Sequence, residues 1–432
     1  LAETVRYSLF YQIMKKVAII GAGISGLSAA QLLKDRFLVT VFEQGGKPGG
    51  LVKCDRIKGN LFHRVGGHVF NSRNQEVLDW FWGFFDRDQE FLKAQRNAKI
   101  FINGKVIGYP IEDYLYEFPA ETVSAILDDL LHAGEGEYLD FEAFLRGNFG
   151  KTLYELYFGP YNQKIWHTDL SEIPLEWLEG KLPMPDIKQI LLRNITRQVE
   201  KQMVHSTFYY AKENGSQFII DRISEGLDIR VNTPVTRIEN VQNGWTLNGQ
   251  GTFDHIVYCG DVRKLKNLIH HNQPELGACL ASVSALRSNS TSNLFCECDS
   301  TDRSWMYLPG KETQAHRIIY TGGFSPTNNG GVTRQDRMTC VVEFSGEYTQ
   351  DEMELEVSKL PGNLSPLASN HEKNSYIIHH KDTRDQITAL KKQLALKQFH
   401  LLGRFAEWEY YNMDKAIEAA MGLRKKLEEE KF

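Results

Sequence analysis

Long hydrophobic runs are missing from this 432-residue chain. The longest stretch without a charge, Val17 to Leu33, is broken by three glycines. It falls short of the ~18 apolar residues that a membrane span needs, so no integral membrane segment is expected. A charge imbalance is missing too. Fifty basic residues face 55 acidic ones, a net charge of −5, which argues against nucleic acid or an anionic membrane as partner but leaves room for a local basic pocket. Cysteine is scarce, and of the six only Cys296 and Cys298 lie close together. One intervening residue is too tight for a metal knuckle, so no metal site is expected and the thiols read as reduced, in a cytosolic protein. Internal repeats, low-complexity tracts, a Ser/His/Asp triad and paired carboxylates are likewise not visible. The leader LAETVRYSLFYQI has neither a basic start nor a small-residue cleavage site and reads poorly as a signal peptide, whereas Met14-Lys15-Lys16 reads as a natural start.

What is present is a nucleotide-binding signature. Lys16 to Ile20 is a short apolar run, followed by Gly21-Ala22-Gly23-Ile24-Ser25-Gly26 and a helical pattern through Leu33. A second β-rich run, Leu38 to Phe42, ends in Glu43, which makes a βαβ unit. Gly21 suits the tight turn, Gly23 lets backbone approach a pyrophosphate, and Gly26 lets helix and strand pack closely. The helix N-terminus offers free N–H groups to the phosphates. Glu43 is spaced to accept both ribose hydroxyls. Gln44 through Gly49, Gly50 and Leu51 resembles the acid-then-Gly-Gly extension of the large FAD family that includes amine oxidases and protoporphyrinogen oxidase. That resemblance implies FAD rather than NAD as the bound cofactor.

Further along, aromatics at helix-like spacings from Val77 to Gln202 read as a helical region punctuated by prolines. Val235 to Ile238 and Trp245 to Leu247, around Asn243-Gly244, read as a hairpin. Segments near Leu294, Ile318 and Thr339 to Phe344 read as an antiparallel sheet, and a last strand, His400 to Leu402, precedes a closing helix from Met413. The expected fold is α/β: a Rossmann-like FAD-binding domain of the glutathione reductase type, with an inserted helical domain and an antiparallel β-sheet domain. The expected boundaries are 14–76, 203–265 and 396–432 for the discontinuous FAD domain, 77–202 for the helical domain and 266–395 for the sheet domain.

Several segments resemble the UDP-galactopyranose mutase family. His63-Arg64-Val65-Gly66-Gly67-His68-Val69-Phe70 is similar to its flavin-adjacent loop, which implies that Gly67 and His68 lie beside the flavin. Tyr161-Asn162-Gln163-Lys164-Ile165-Trp166 resembles the family's Tyr-x-x-Lys-x-Trp, implying substrate contacts for Tyr161 and Trp166. Tyr209, in Phe208-Tyr209-Tyr210, stands where the family carries an aromatic turn. Tyr307 within Tyr307-Leu308-Pro309, followed by Arg317, resembles the family's Tyr-x-Pro and its pyrophosphate-gripping arginine. Arg193 and Arg197 are candidates for a second clamp. The C-terminal run from Gly403-Arg404 through Glu409-Tyr410-Tyr411-Asn412-Met413-Asp414 resembles the family signature most closely. It implies FAD contacts from Gly403, Arg404, Asn412, Met413 and Asp414, and a diphosphate contact from Tyr410; Val235 completes the expected FAD set.

The resemblance implies an isomerase that interconverts pyranose and furanose forms of a UDP-sugar through a reduced-flavin N5 adduct. His68, Arg317 and Tyr410 support it, and NAD(P)H is the candidate reductant. It further implies a cytoplasmic homodimer supplying nucleotide-sugar for surface polysaccharide or lipopolysaccharide. Two departures bear on the substrate: Glu409 replaces the family's Arg or Lys, and His379-His380-Lys381-Asp382 lacks its tyrosine-proline pair. A flavin oxidoreductase of the amine oxidase class and a non-catalytic binder on the same fold are the rival expectations.

Overall fold

The computed structural model describes residues 14–133, 136–175, 186–198 and 206–429. The glycine-flanked apolar runs at the N-terminus become strands Lys16–Ile20 and Leu38–Phe42, joined by helix Ile24–Leu33. They sit at the centre of a five-stranded sheet in the order Phe399–Leu401, His255–Tyr258, Lys16–Ile20, Leu38–Phe42, Asp228–Arg230. Every pairing in it is parallel. Its strands come from three distant parts of the chain.

A parallel sheet must be covered on both faces, and alternation along each strand decides what covers it. Val17, Ile19, Val41 and Val257 join one core, with Ala29 and Ala30 of the first helix and Ile417, Ala420 and Met421 of helix Met413–Glu429. Ala18, Ile20, Phe42, Ile256 and Tyr258 join the opposite core, with Trp245, Leu280, Leu390 and Trp408. The hairpin around Asn243 forms as strands Ile238–Val241 and Gly244–Leu247, with Ile238 opposite Leu247. Val235 lies before the hairpin and packs against the second core.

The second sheet has seven strands in the order Ser365–Ile378, Arg287–Asp299, Arg337–Ser345, Ala315–Ile319, Trp305–Tyr307, Ala98–Ile102, Lys105–Gly108. All neighbours are antiparallel except Trp305–Tyr307 with Ala98–Ile102. The last two strands lie inside the stretch that reads as helical, as does Phe91–Gln95, which pairs with Thr207–Ala211. Their cause is local. Ala98, Ile100 and Ile102 are buried alternately. Asn103-Gly104, both at positive φ, make the two-residue turn that favours a hairpin. The rest of that stretch does form helices, including Gln75–Trp82, Ala120–His132, Phe141–Leu153, Gly159–Trp166 and Ile187–Thr196. Residues 199–205, at its expected end, lie outside the described residues.

Candidate active site

The carboxyl ends of the central parallel strands open into a cavity of about 540 Å³, closed on its other side by the seven-stranded sheet. Gly21, Glu43 and Cys259, each the residue just after a strand, line it. That is where doubly wound folds place ligands.

The dinucleotide end is built by close backbone approach. A Cβ on Gly26 would stand 2.0 Å from the Gly21 carbonyl oxygen, so only glycine lets the helix start there. Gly21 itself needs φ +108°. The helix N-cap, Gly23, has no side-chain cap, so the first-turn N–H groups are left to a ligand. Gly49 donates to the Ala22 carbonyl at 2.8 Å and brings the Gly-Gly extension against the fingerprint. The Glu43 carboxylate is buried, accepting from the Ala22 N–H at 2.9 Å and the Gly45 N–H at 2.8 Å. Its remaining lone pairs suit ribose hydroxyls. Uncapped helix, glycine cradle and oriented acid together fit the ADP half of a dinucleotide.

The loop from His63 to Val69 passes the middle of the cavity. The Arg64 carbonyl accepts from both Asn293 (2.9 Å) and Asn370 (2.8 Å), and the Gly66 N–H donates to Glu343 at 2.7 Å. His68 lines the cavity with its Nε2 buried and without a hydrogen-bond partner among the described residues. Burial, then His63 and Arg404, pull its pKa down to about 3, so the ring is neutral at pH 7. An orphaned imidazole nitrogen in a cavity wall is a ready contact for a bound flavin.

The far end is a basic and aromatic wall. The Arg317 guanidinium donates to Glu343 at 2.6 Å and to the Tyr376 hydroxyl at 3.3 Å. Burial opposes its charge, but Glu343 and the surrounding tyrosines outweigh burial and raise its pKa. Burial likewise works against Glu343, whose carboxyl Arg317 and His316 hold down at about 2. The Arg404 guanidinium lies 4.5 Å from the Tyr410 ring centroid and donates to the Tyr411 carbonyl at 2.6 Å. Tyr410 stacks on Tyr376 at 6.1 Å. Arg96 lies over the rings of Tyr109 (4.7 Å) and Trp305 (5.5 Å) and donates to the Tyr307 hydroxyl.

Of the sequence-predicted residues, Gly21, Gly23, Ile24, Ser25, Glu43, Gln44, Gly49, Gly50, Leu51, Gly67, His68, Tyr307, Arg317, Arg404, Tyr410, Asn412 and Met413 share this cavity. Others stand behind it. Gly26 and Gly403 pack backbone, a Cβ on Gly403 meeting Ser25 Oγ at 2.6 Å. Tyr161 packs edge-on against Tyr307 at 5.4 Å, and Trp166 edge-on against Tyr376 at 5.8 Å. Asp414 lies in the first turn of the last helix. Tyr209 packs against Trp82, away from the cavity, and Val235 does not reach it. Arg193 is held by Asp113 at 2.8 Å and Arg197 lies over Tyr116, so neither faces the cavity. Glu409 turns from the lining to Arg384, 3.8 Å away.

Sequence reading missed Arg96, Tyr376 and Glu343. Tyr376 lies only three residues before the His379 run that lacks the tyrosine-proline pair, a displacement that motif matching does not tolerate. Arg96 precedes a strand read as helix. Glu343 sits in an apolar strand, and a lone acid there is itself the available signal.

Residues 19–87 match the family model described as an NAD(P)-binding Rossmann-like domain. A UDP-galactopyranose mutase of Mycoplasma pneumoniae is 22% identical over 434 residues, covering 95% of each chain. The crystal structure of reduced UDP-galactopyranose mutase superposes with a TM-score of 0.85 at 19% identity, over 96% of this chain and 94% of that one. This chain resembles the UDP-galactopyranose mutases over at least 95% of its length. A dTDP-fucopyranose mutase of Escherichia coli is 27% identical over 180 residues, 40% of this chain and 46% of that one. Cyclohexylamine oxidase from Brevibacterium oxydans shares the fold more distantly, with a TM-score of 0.65 at 15% identity, covering 96% of this chain and 100% of that one. The α/β architecture, with a parallel sheet and a second, largely antiparallel sheet, is thus a fold that this chain shares with the two superposed structures. Among the described residues no helix is long and apolar enough to cross a membrane.

Proposed function

We propose that this protein is an FAD-dependent mutase that interconverts the pyranose and furanose forms of a UDP-sugar. The observation that carries the reading is one cavity whose wall holds both a dinucleotide cradle and a cluster of Arg96, Arg317 and Arg404 with hydroxyl-bearing tyrosines. When bound, reduced FAD supplies the nucleophile, at N5. The chain's own residues then bind, orient and neutralise charge. Glu43 and the uncapped helix hold the adenosine diphosphate half. His68, neutral, would meet the flavin through its Nε2, accepting one hydrogen bond without adding charge. Arg317 and Tyr410, with Tyr376 and Tyr307, receive the diphosphate that departs and returns, so the developing charge meets donors already in place.

The reading extends, on the resemblance alone, to a cytoplasmic homodimer reduced by NAD(P)H. It would supply nucleotide-sugar for surface polysaccharide or lipopolysaccharide. The direct test incubates UDP-galactopyranose with oxidised and with dithionite-reduced protein and separates products by anion exchange. A furanose product from the reduced sample alone supports the mutase. A yellow, fully reducible protein that gives no product, or one that consumes oxygen with an amine, marks the oxidoreductase reading instead.

A further inference from the structure

Glu343 joins two parts of the cavity wall. It is fully buried in strand Arg337–Ser345. One carboxylate oxygen, Oε1, accepts the Gly66 N–H at 2.7 Å; the other, Oε2, accepts from Arg317 Nε at 2.6 Å and pairs with Nη2. His316 Nε2 stands 3.6 Å from Oε2. Across the sheet, Glu343 is the register partner of Asn293, and Asn293 of Asn370. Both asparagines grip the Arg64 carbonyl. One row of three strands thus holds the loop that carries His68. Among the three side chains of that row, Glu343 alone is charged and alone also reaches Arg317.

We propose that Glu343 is a positioning residue that couples anion binding at Arg317 to the loop carrying His68. The proposal rests on the reading above, in which the anion is a nucleoside diphosphate and the loop faces a flavin. A carboxylate between two donors divides its charge between them. An anion arriving on Arg317 draws the guanidinium N–H groups toward itself, and Oε1 becomes the stronger acceptor for the Gly66 amide. The loop transmits that change because it has little slack. A Cβ on Gly67 would stand 2.6 Å from Ile319 Cγ2, and one on Gly66 would stand 3.4 Å from His68 Nε2. Linkage makes the effect reciprocal: a change of state at the loop alters anion affinity by the factor with which the anion alters the loop.

The test measures UDP affinity by calorimetry on FAD-loaded protein, oxidised and dithionite-reduced, for wild type and Glu343→Gln. Glutamine keeps the volume but has one acceptor oxygen, so it satisfies either Gly66 or Arg317 and never both. Wild type is expected to bind UDP with affinities that differ about fivefold or more between the two redox states. In Glu343→Gln the ratio falls to about one while UDP binding persists, and the UDP-induced shift of the flavin midpoint potential vanishes with it. Equal wild-type affinities in the two states, or an unchanged ratio in the variant, overturn the coupling and leave the mutase reading standing. Absence of UDP binding to wild type in both states overturns both readings. If Glu343→Gln does not fold, Glu343→Asp, one methylene too short to span both donors, is measured in its place.

Discussion

Arginine carries five N–H donors and no acceptor. The Tyr307 hydroxyl must therefore accept from Arg96, and its own proton is left to donate elsewhere, toward the cavity that both residues line. The same logic fixes Tyr376 through Arg317. A diphosphate would thus meet hydroxyl donors whose direction is set before it arrives. Replacing Arg96 by Met should free the Tyr307 hydroxyl to rotate and weaken UDP binding about tenfold, the worth of one charge-assisted hydrogen bond. An unchanged dissociation constant by calorimetry would refute this. Lys164 shows the opposite outcome of residue-level reading. Its motif pointed to the substrate site, yet its ammonium donates to the carbonyls of Leu308, Gly310, Thr313 and Ala315, between 2.6 and 3.1 Å. It is a clamp on the loop behind Tyr307. Lys164→Met should leave those carbonyls unpaired and cost about 3 kcal/mol in denaturant unfolding. A loss of UDP affinity with no loss of stability would place Lys164 with Tyr161 and Trp166 as a substrate contact instead.

At the scale of elements, the strand–turn–helix at the N-terminus was readable because glycine spacing there answers to steric contacts within a dozen residues. The sharpest of these is at Gly26, where a methyl group would meet the Gly21 carbonyl at 2.0 Å. Backbone cannot give by that much, so Gly26→Ala must push helix Ile24–Leu33 off its strand and spoil the first-turn N–H array. The variant should bind less than a tenth of the FAD of wild type, read from absorbance near 450 nm, and unfold at lower temperature. Full flavin content would show that the cradle is not built as described. The ribbon Ala98–Gly108 was not readable in the same way. Strands of five and four residues leave little period to detect, and the aromatic cluster of Trp80, Phe81, Phe84 and Phe85 just upstream imposes a helical pattern on any longer window. The positions of Tyr161, Trp166 and Tyr209 were out of reach for a further reason. Whether an aromatic lines a cavity or stands one layer behind it depends on which strand lies between, and long-range strand pairing decides that, in the seven-stranded sheet for Tyr161 and Trp166 and in the two-stranded sheet with Phe91–Gln95 for Tyr209.

The whole molecule is stapled from three separated stretches of chain around one parallel sheet, and buried titratable groups lie where those stretches meet. His400, on edge strand Phe399–Leu401, stacks against His255 of the adjoining strand at 5.9 Å; His63 and His68 hold the cavity loop. Burial comes first in each case and lowers the pKa of His63 to about 4 and of His68 and His400 to about 3. In the unfolded chain all three titrate near 6.5. Below pH 6.5 the unfolded state therefore binds protons that the folded state refuses, and stability falls as pH falls. At pH 5 each refused proton costs about 2 kcal/mol, so the three together cost about 6 kcal/mol, a large share of the 5–15 kcal/mol that holds a typical domain. Glu343 adds to the slope lower down: its folded value of about 2 means that its contribution, intact above about 4.5, is lost between there and 2. The midpoint temperature should thus be nearly level from pH 8 to 7 and drop steeply below pH 6. His400→Leu, outside the cavity lining, should make that slope shallower by about one proton without changing flavin content. A wild-type profile that stays level down to pH 5, or a His400→Leu profile parallel to it, would mean that these imidazoles take up protons in the folded protein and that the sheet seams are open to water.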